Sequence, residues 1–402
     1  MLLWLAMACL ADDPATADPA DTTAADTDPG GSVEDDLLDA PDDPAPDDPA
    51  PAVDGAALDA ALAAFVETQR LPSASACVIG GGATLWCGSA GAADVEAGRA
   101  ATPDTPYLLA SLSKAVIGVA VARLVVDGAI TLDDPVEPIV GFPLGVDRGR
   151  GAAITWRTLA THTSGVRDDW DVMDRFYTVG DSPVPLGAFL ESYLAPSGDA
   201  YRPSHFADHA PGARAVYSNI ASSLAAYAVE VTVGRPFDAW CDDALFAPLG
   251  LGDTGWHLAD FPADTVAVPY ARRGGELAPV PHFGFPDYPD GQLRSSARDV
   301  AAMLAELSAG GGRLLPQDGV TLLLTPPLPA IDPRQGVFWY AEARGGVEVW
   351  GHNGGEVGAS TDAFFDPATG AGFVLLVNAE PAVRPMLAFE AELLRVAAAA
   401  LR

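Results

Sequence analysis

The apolar stretch from about Ser111 to Asp127 constrains the fold more than any other feature of this sequence. Its spacing predicts a helix that follows Pro106 and ends at Gly128, and this helix is apolar on nearly all of its faces. A helix without a polar face belongs in the middle of a protein. We therefore predict a domain built around a buried helix whose start carries Ser111 and Lys114.

The other predicted elements come as strands near both ends of the chain, with helices between them. They are an opening helix over residues 56–69, a hairpin over 77–87, helical segments broken by Pro and Gly over 155–260, strands at 337–340, 347–350 and 372–377, and a closing helix over 386–402. We expect the two ends to meet in one sheet while the middle forms a helical lobe. Residues 55–402 contain no repeat and no internal linker, which predicts one domain of mixed α and β structure.

Ser111 and Lys114 form a Ser-x-x-Lys pair, a spacing at which two side chains share one face of a helix. The start of the helix would add amide donors and a positive field at the serine. Burial lowers the pKa of a lysine, so we predict that Lys114 accepts the proton of a nucleophilic Ser111. The pattern alone is common. However, Lys114 is the only lysine among 22 basic residues, and an arginine could not act as a base.

Two later motifs carry groups that suit the same chemistry. Tyr217-Ser218-Asn219 offers a phenol that can relay protons and an amide that can hold a carbonyl, although Ser218 and Asn219 would also cap the following helix. Trp350-Gly351-His352-Asn353-Gly354-Gly355 follows a strand-like run, and its glycines let the backbone approach a substrate closely. A backbone N–H at the edge of that strand could form an oxyanion hole with the N–H of Ser111.

Cys77 and Cys87 flank a glycine turn that is typical of a β-hairpin. If residues 81–83 form a three-residue loop, the two cysteines lie opposite each other, close enough for a disulfide. A disulfide would fit an oxidising compartment, and two buried free thiols are the alternative. Cys241 has no evident partner, and we predict that it is buried as packing.

The first 54 residues differ in composition from the rest. Residues 1–9 form an apolar stretch ending at Cys9 that is similar to the end of a bacterial lipoprotein signal, although the run is short and no Lys or Arg precedes it. Residues 10–54 carry 15 acidic residues and no basic one, which predicts a solvated, disordered linker. We expect export to the cell envelope, either periplasmic or tethered to the membrane by a lipid on Cys9. A leader without a role is the alternative.

The net charge of −33 argues against a nucleic-acid partner.

The three motifs, in this order and at these separations, resemble the serine β-lactamase-related family, which includes class C β-lactamases, D-alanyl-D-alanine carboxypeptidases and related esterases. The resemblance covers nearly all of residues 56–402 and extends to flanking stretches at 127–135, 154–165 and 291–299. It implies a β-lactamase/transpeptidase-like α+β fold, with an antiparallel sheet flanked by helices, a helical lobe, and the site at their junction.

The resemblance also implies a role for each residue of the site. Ser111 forms the acyl-enzyme, Lys114 and Tyr217 share the proton transfers, Asn219 contacts the substrate amide, and the N–H groups of Ser111 and Gly355 form the oxyanion hole beside His352 and Gly354. No cofactor and no metal are implied.

A metal site at His205 and His209 is also disfavoured by the residues themselves. The two histidines lie four residues apart, but the prolines at 203 and 211 disfavour a stable helix between them.

The substrate is expected to be a small molecule or a peptide. His352 stands where many β-lactamases carry a lysine, and a largely neutral histidine attracts a carboxylate less than a permanent charge does. This argues against an efficient β-lactamase and leaves a D-Ala-type peptide and a small ester open, with β-lactamase activity proper as the alternative. Arg294 or Arg298 could supply the missing charge. A cell-envelope binding module that keeps the fold without turnover is the alternative from another class.

Overall fold

The computed structural model describes residues 53–146 and 152–402. The predicted signal with Cys9, and the predicted acidic linker as far as residue 52, lie outside these residues. The last residue of that predicted linker, Asp54, instead belongs to the folded domain. Its side chain accepts a hydrogen bond from the N–H of Ala57 at 3.0 Å and caps the opening helix.

The α-helices of the described residues are, in chain order, α1 (Gly55–Gln69), α2 (Ser113–Val126), α3 (Glu137–Val140), α4 (Trp156–Ala160), α5 (Trp170–Met173), α6 (Leu186–Leu194), α7 (Asn219–Val233), α8 (Phe237–Cys241), α9 (Ala297–Ser308), α10 (Gln317–Leu324) and α11 (Val383–Ala400). None of them is both long enough and apolar enough to cross a membrane.

The strands are β1 (Ser73–Gly80), β2 (Ala83–Asp94), β3 (Arg99–Ala100), β4 (Tyr107–Leu108), β5 (Thr178–Val179), β6 (Thr254–Gly255), β7 (Tyr270–Arg273), β8 (Glu276–Pro279), β9 (Phe283–Gly284), β10 (Arg294–Ser295), β11 (Tyr340–Arg344), β12 (Val347–Glu356), β13 (Ala359–Phe365) and β14 (Gly372–Val377).

The main sheet joins the two ends of the folded domain, as the sequence predicts. Its strand order is β11-β12-β13-β14-β1-β2-β3, and every neighbouring pair is antiparallel. The pairing of β1 with β14, in which Ala74 lies opposite Val377, connects residues about 300 positions apart. Both strands are buried along their whole length because helices cover both faces of the sheet.

Two apolar clusters hold these layers together. On one face, α1 and α11 pack against the sheet, with Phe65 and Phe389 stacked at 4.9 Å between ring centroids. On the other face, α9 packs against β1, β2, β13 and β14, and α2 contacts β12, α7 and α10. The prediction that α2 is a central helix is confirmed, since most of its residues are buried. A Cβ on Gly118 would come within 2.4 Å of the Val337 carbonyl oxygen.

The structure corrects three local predictions. Ser111 lies in a 3₁₀ turn, Ala110–Leu112, and not in the first turn of α2. Residues 337–339 do not belong to a strand, because the N–H of Val337 donates to Leu323 at the end of α10 and that of Phe338 donates to Ala160 at the end of α4. Strand β13 is missing from the sequence prediction, since the buried polar residues at 361 and 362 interrupt its apolar pattern.

The predicted hairpin is formed by β1 and β2, and it brings the two cysteines opposite each other. Its loop has two residues and not three, because Gly80 pairs with Ala83 and a register shift after Val78 restores the Cys77–Cys87 pairing. The structure joins these two sulfur atoms in a disulfide. Cys241 is buried, as predicted.

Candidate active site

Ser111 is held at a sharp turn between β4 and α2. Ala110, just before it, adopts a left-handed backbone conformation with φ of 49°, which is strained for a residue with a side chain. The turn is tied to the sheet because the Thr361 hydroxyl donates to the Leu109 carbonyl at 2.6 Å. The position of the Ser111 side chain therefore depends on a long-range contact with β13.

Lys114 contacts Ser111, as the sequence predicts. Its Nζ lies 3.1 Å from Ser111 Oγ and 2.6 Å from the backbone oxygen of Asp290. The predicted fall in its pKa is wrong. Burial does lower the pKa of Lys114, but the Tyr217 phenol and the carboxyl groups of Asp290 and Asp168 together raise it above its usual value. Lys114 is thus an ammonium in the free protein.

Tyr217 completes a three-membered group with these two residues. Its ring centroid lies 5.0 Å from Lys114 Nζ, and its hydroxyl is within hydrogen-bonding reach of both Lys114 and Ser111. Although the residue is 43% exposed, burial around the hydroxyl end raises the pKa of Tyr217, and the nearby ammonium offsets this shift only in part. The free protein therefore carries a phenol beside an ammonium.

Asp168, which the sequence analysis missed, fixes the start of α7. Its carboxylate accepts hydrogen bonds from Ser218 Oγ at 2.8 Å, from the N–H of Asn219 at 2.9 Å and from that of Ile220 at 3.1 Å. Ser218 is the N-cap, as predicted, and accepts from Ala221 at 3.0 Å. These bonds orient the segment that carries Tyr217 and Asn219. Nothing in the local sequence around Asp168 indicates this role, since its partners lie about 50 residues away.

His162 is a second residue that sequence reasoning did not single out, although it lies in one of the stretches that carried the resemblance. Its ring packs against Tyr217 at 4.4 Å between centroids, and its Nδ1 accepts the N–H of Ser218 at 3.3 Å. Burial, followed by the charge of Lys114, lowers the pKa of His162 to about 3. A neutral imidazole therefore supports the phenol.

His352 lies on β12 at the same site. Burial and the charge of Lys114 lower the pKa of His352 to about 3, so it is neutral, in agreement with the sequence prediction. Its Nδ1–H donates to the carbonyl oxygen of Asn353 at 2.5 Å. The pairing of β12 with β11 ends at Gly351, whereas its pairing with β13 continues to Glu356. From His352 onward, none of the strands described here pairs with that edge of β12.

The two glycines of β12 have different surroundings. A Cβ on Gly354 would lie 2.1 Å from the Leu109 oxygen and 3.0 Å from the Leu112 nitrogen, so only glycine lets the strand approach the Ser111 turn this closely. A Cβ on Gly355 would meet nothing within 4 Å. The N–H of Asn353 donates to the Tyr340 hydroxyl on the β11 side, and the N–H of Gly355, two residues on, points to that same edge.

A pair of buried carboxyl groups, also missed by sequence reasoning, lies behind Lys114. Asp287 and Asp290 are 3% and 5% exposed and are hydrogen-bonded to each other. Ser223, on α7, directs its hydroxyl between the Asp287 backbone oxygen, at 2.9 Å, and Asp290 Oδ2, at 3.1 Å. Burial raises the pKa of both acids, to about 6 for Asp290. The acids directly precede the 291–299 stretch.

Neither arginine suggested by the sequence supplies a free positive charge. The buried guanidinium of Arg294 donates to the carbonyl oxygens of Trp256, Gln292 and Phe283. That of Arg298 is paired with Asp104 at 2.6 Å.

The two histidines considered for a metal site, His205 and His209, have different contacts. His205 stacks on Tyr193, with the ring centroids 3.8 Å apart, whereas His209 Nδ1 contacts the carbonyl oxygen of Ala210. Across residues 53–146 and 152–402, no group of three or more His, Cys, Asp or Glu side chains is arranged to hold a metal.

A protein-family model and two known proteins match this chain. The family model described as Beta-lactamase matches residues 58–396. The chain is 27% identical over 318 residues to beta-lactamase-like 1 of Homo sapiens, covering 75% of this chain and 60% of that protein. It is 34% identical over 222 residues to esterase EstB of Burkholderia gladioli, covering 54% of each. The chain thus spans only about half to three fifths of the length of these relatives.

A solved structure of similar size also matches. A D-stereospecific amidohydrolase from Streptomyces sp. superposes with a TM-score of 0.62 at 27% identity, covering 84% of this chain and 98% of that one.

Proposed function

The chain belongs to the beta-lactamase family, and on that premise we propose that it is a serine hydrolase that takes the acyl group of an ester or amide onto Ser111 Oγ. The observation that carries the proposal is the 3.1 Å contact between Lys114 Nζ and Ser111 Oγ, with the Tyr217 hydroxyl within reach of both. A nucleophile and proton-carrying groups in mutual contact are the arrangement that acyl transfer requires.

The protonation states favour a relay through Tyr217. The raised pKa values of Lys114 and Tyr217 leave an ammonium and a phenol at neutral pH. As Ser111 Oγ bonds to the acyl carbon, its proton passes to the Tyr217 oxygen while the phenol proton passes to the leaving oxygen or nitrogen. Tyr217 is therefore neutral before and after the transfer. The Lys114 ammonium stabilises the negative charge that develops on the oxygens of Ser111 and Tyr217. In deacylation, water replaces the leaving group and the proton path runs in reverse.

The acyl oxygen would be held by two backbone donors. The N–H of Gly355 points to the edge of β12 with which no strand of residues 53–146 and 152–402 pairs, and Gly354 brings that edge against the Ser111 turn. We propose that the N–H groups of Ser111 and Gly355 bind the developing oxyanion. The Asn219 amide would contact the substrate beside Tyr217, with His352 closing the buried side of the site.

The charges of the site favour substrates without a carboxylate next to the scissile bond. Lys114 is engaged by Ser111 and Asp290, and His352 is neutral. Glu356 directly follows Gly355 on β12, and burial raises the pKa of its carboxyl group to about 7. A substrate carboxylate would be repelled here and left unpaired. We therefore propose a simple ester or amide in preference to a penicillin or a peptide ending in D-alanine.

Labelling of the serine tests this proposal. Wild-type protein is treated with a fluorophosphonate, and the modified residue is located by mass spectrometry, with Ser111→Ala as the matched control. Turnover is compared on p-nitrophenyl acetate, a D-amino acid amide, a D-Ala-D-Ala peptide and nitrocefin. We expect label on Ser111 and turnover of the ester or the amide. A wild-type protein without label or turnover would contradict the enzymatic function and favour the binding module.

We also propose that the domain is exported to the cell envelope. The Cys77–Cys87 disulfide supports this location, because such bonds persist in oxidising compartments. Cell fractionation combined with thiol alkylation tests it. Recovery of the protein in the cytoplasm with both thiols free would contradict export.

A further inference from the structure

The buried ammonium of Lys114 needs a counter-charge that the groups of the Ser-Lys-Tyr arrangement do not provide. Tyr217 is a neutral phenol, and His162 and His352 are neutral imidazoles. A buried charge without a partner is strongly destabilising. The counter-charge must therefore come from a carboxylate close behind Lys114.

Asp290 meets this requirement by its position. Its backbone oxygen accepts a hydrogen bond from Lys114 Nζ at 2.6 Å, which fixes the residue directly against the ammonium. Its side chain is held by Ser223 Oγ at 3.1 Å and by the carboxyl of Asp287. The other nearby carboxylate, Asp168, is already engaged by the start of α7.

Asp287 acts on Asp290 as a hydrogen-bond donor. Two carboxyl groups in contact cannot both ionise in a buried site, so the pair holds one proton. That proton lies on Asp287, since the bond between the two acids favours the charged form of Asp290 and the neutral form of Asp287. The pair therefore carries one negative charge, which interacts with the charge of Lys114.

We propose that Asp290 is the buried counter-ion of Lys114 and that Asp287 holds the proton that keeps Asp290 charged, so that the two acids act as positioning residues for the Ser111 reaction. The inference rests on the proposed function, because its readout is the hydrolysis carried out by Ser111. It predicts that activity is lost when the acid pair takes up a second proton and the ammonium loses its counter-ion.

The expected loss of activity falls in a pH range in which the histidines of the site do not titrate. Asp290 has a pKa of about 6, whereas His162 and His352 have pKa values of about 3. The titratable or charged groups around Asp290 come from several elements and are Lys114 on α2, Asp168 before α5, Tyr177 before β5, Tyr217 before α7, Glu356 on β12 and Asp287 in its own turn. The acid limb near pH 6 is assigned to Asp290 if the limb disappears when Asp290 is replaced.

The test is the pH dependence of kcat/KM for p-nitrophenyl acetate, followed at the isosbestic wavelength of p-nitrophenol. We expect an acid limb near pH 6 in the wild type. Asp290→Asn should remove this limb and lower kcat/KM at pH 7 by about tenfold or more. The matched control is Asp242→Asn, because burial also raises the pKa of Asp242 to about 6, although none of the groups that act on it is Lys114. The control should keep the limb.

Two milder variants keep the test decisive if Asp290→Asn does not fold. Ser223→Ala and Asp287→Ala each remove a hydrogen bond that favours the charged form of Asp290, so each should move the limb to higher pH. Asp287→Asn restores a neutral donor and should move it back toward the wild-type position. A limb that is unmoved in both Ser223→Ala and Asp287→Ala would overturn the inference while leaving the hydrolase function intact. A wild-type protein that takes no label would overturn the function itself.

Discussion

The close approach of β12 to the Ser111 turn can be tested by adding a single methyl group at Gly354. A Cβ there would lie 2.1 Å from the Leu109 oxygen, whereas ordinary contact begins at 3.4 Å, so the two backbones must separate by about 1.3 Å. The neighbouring atoms belong largely to the backbone and cannot rotate away. Overpacking of this kind costs about 1–3 kcal/mol of stability.

The larger expected effect of Gly354→Ala is on catalysis. Moving β12 away from the turn separates the N–H of Gly355 from the N–H of Ser111, and a displacement of about 1 Å in a reacting site costs roughly 100-fold in rate. We expect kcat/KM for p-nitrophenyl acetate to fall by about that factor. Urea unfolding of the same preparation measures the stability loss, and circular dichroism shows that the variant is folded.

Gly198→Ala is the matched control for the steric cost. Its Cβ would also lie 2.1 Å from a backbone oxygen, that of Ser192 in the helical lobe, and neither Gly198 nor Gly354 has a positive φ. It should lose stability while kcat/KM of the folded protein stays within about twofold of the wild type. Wild-type kcat/KM in Gly354→Ala, or an equal loss of activity in both variants, would contradict a role of the close approach of β12 in catalysis.

Further predictions concern the ammonium of the site, the helix cap, the disulfide and one histidine. Lys114→Arg keeps a positive charge but replaces the compact ammonium by a planar guanidinium that cannot contact Ser111 and Asp290 in the same geometry, so we expect kcat to fall by about 10²–10³, with the rate of fluorophosphonate labelling as a second readout. Asp168→Asn loses an acceptor for the α7 cap, and urea unfolding should show a loss of about 1 kcal/mol together with reduced kcat; unchanged values for both would contradict its role. Replacing Cys77 and Cys87 by serine opens a loop with a sequence separation of 10, which should cost about 3 kcal/mol in urea unfolding. The imidazole of His352 takes up a proton near its usual pKa of 6.5 when unfolded but only at about 3 when folded, so stability is complete above pH 6.5 and decreases as the pH falls toward 3. His352→Gln should weaken that decrease, and an identical pH profile of unfolding would contradict the assignment.

The buried helix and the three motifs could be predicted because their signals are local. The apolar pattern of α2 is contained in one run of residues. Ser111 and Lys114 are only three positions apart, so their proximity does not depend on distant parts of the chain. The pairing of the sheet ends followed from the placement of strands near both ends of the chain. Strand β13 was missed because Thr361, which anchors the Ser111 turn, and Asp362, which contacts Arg344, make its sequence look polar.

The amino-acid sequence identifies which groups can do chemistry, namely one serine, one lysine, one tyrosine and a glycine-rich strand. Their protonation states and the contacts that support them depend on the tertiary structure. The pKa of Lys114 rises because Tyr217, Asp290, which is 176 positions away, and Asp168 lie close to it, whereas the local sequence predicted that burial would lower it. Arg294 likewise carries a charge in the sequence, but the fold uses it to hold carbonyl groups. Electrostatic shifts sum over all neighbours in space, and most of those neighbours are distant along the chain.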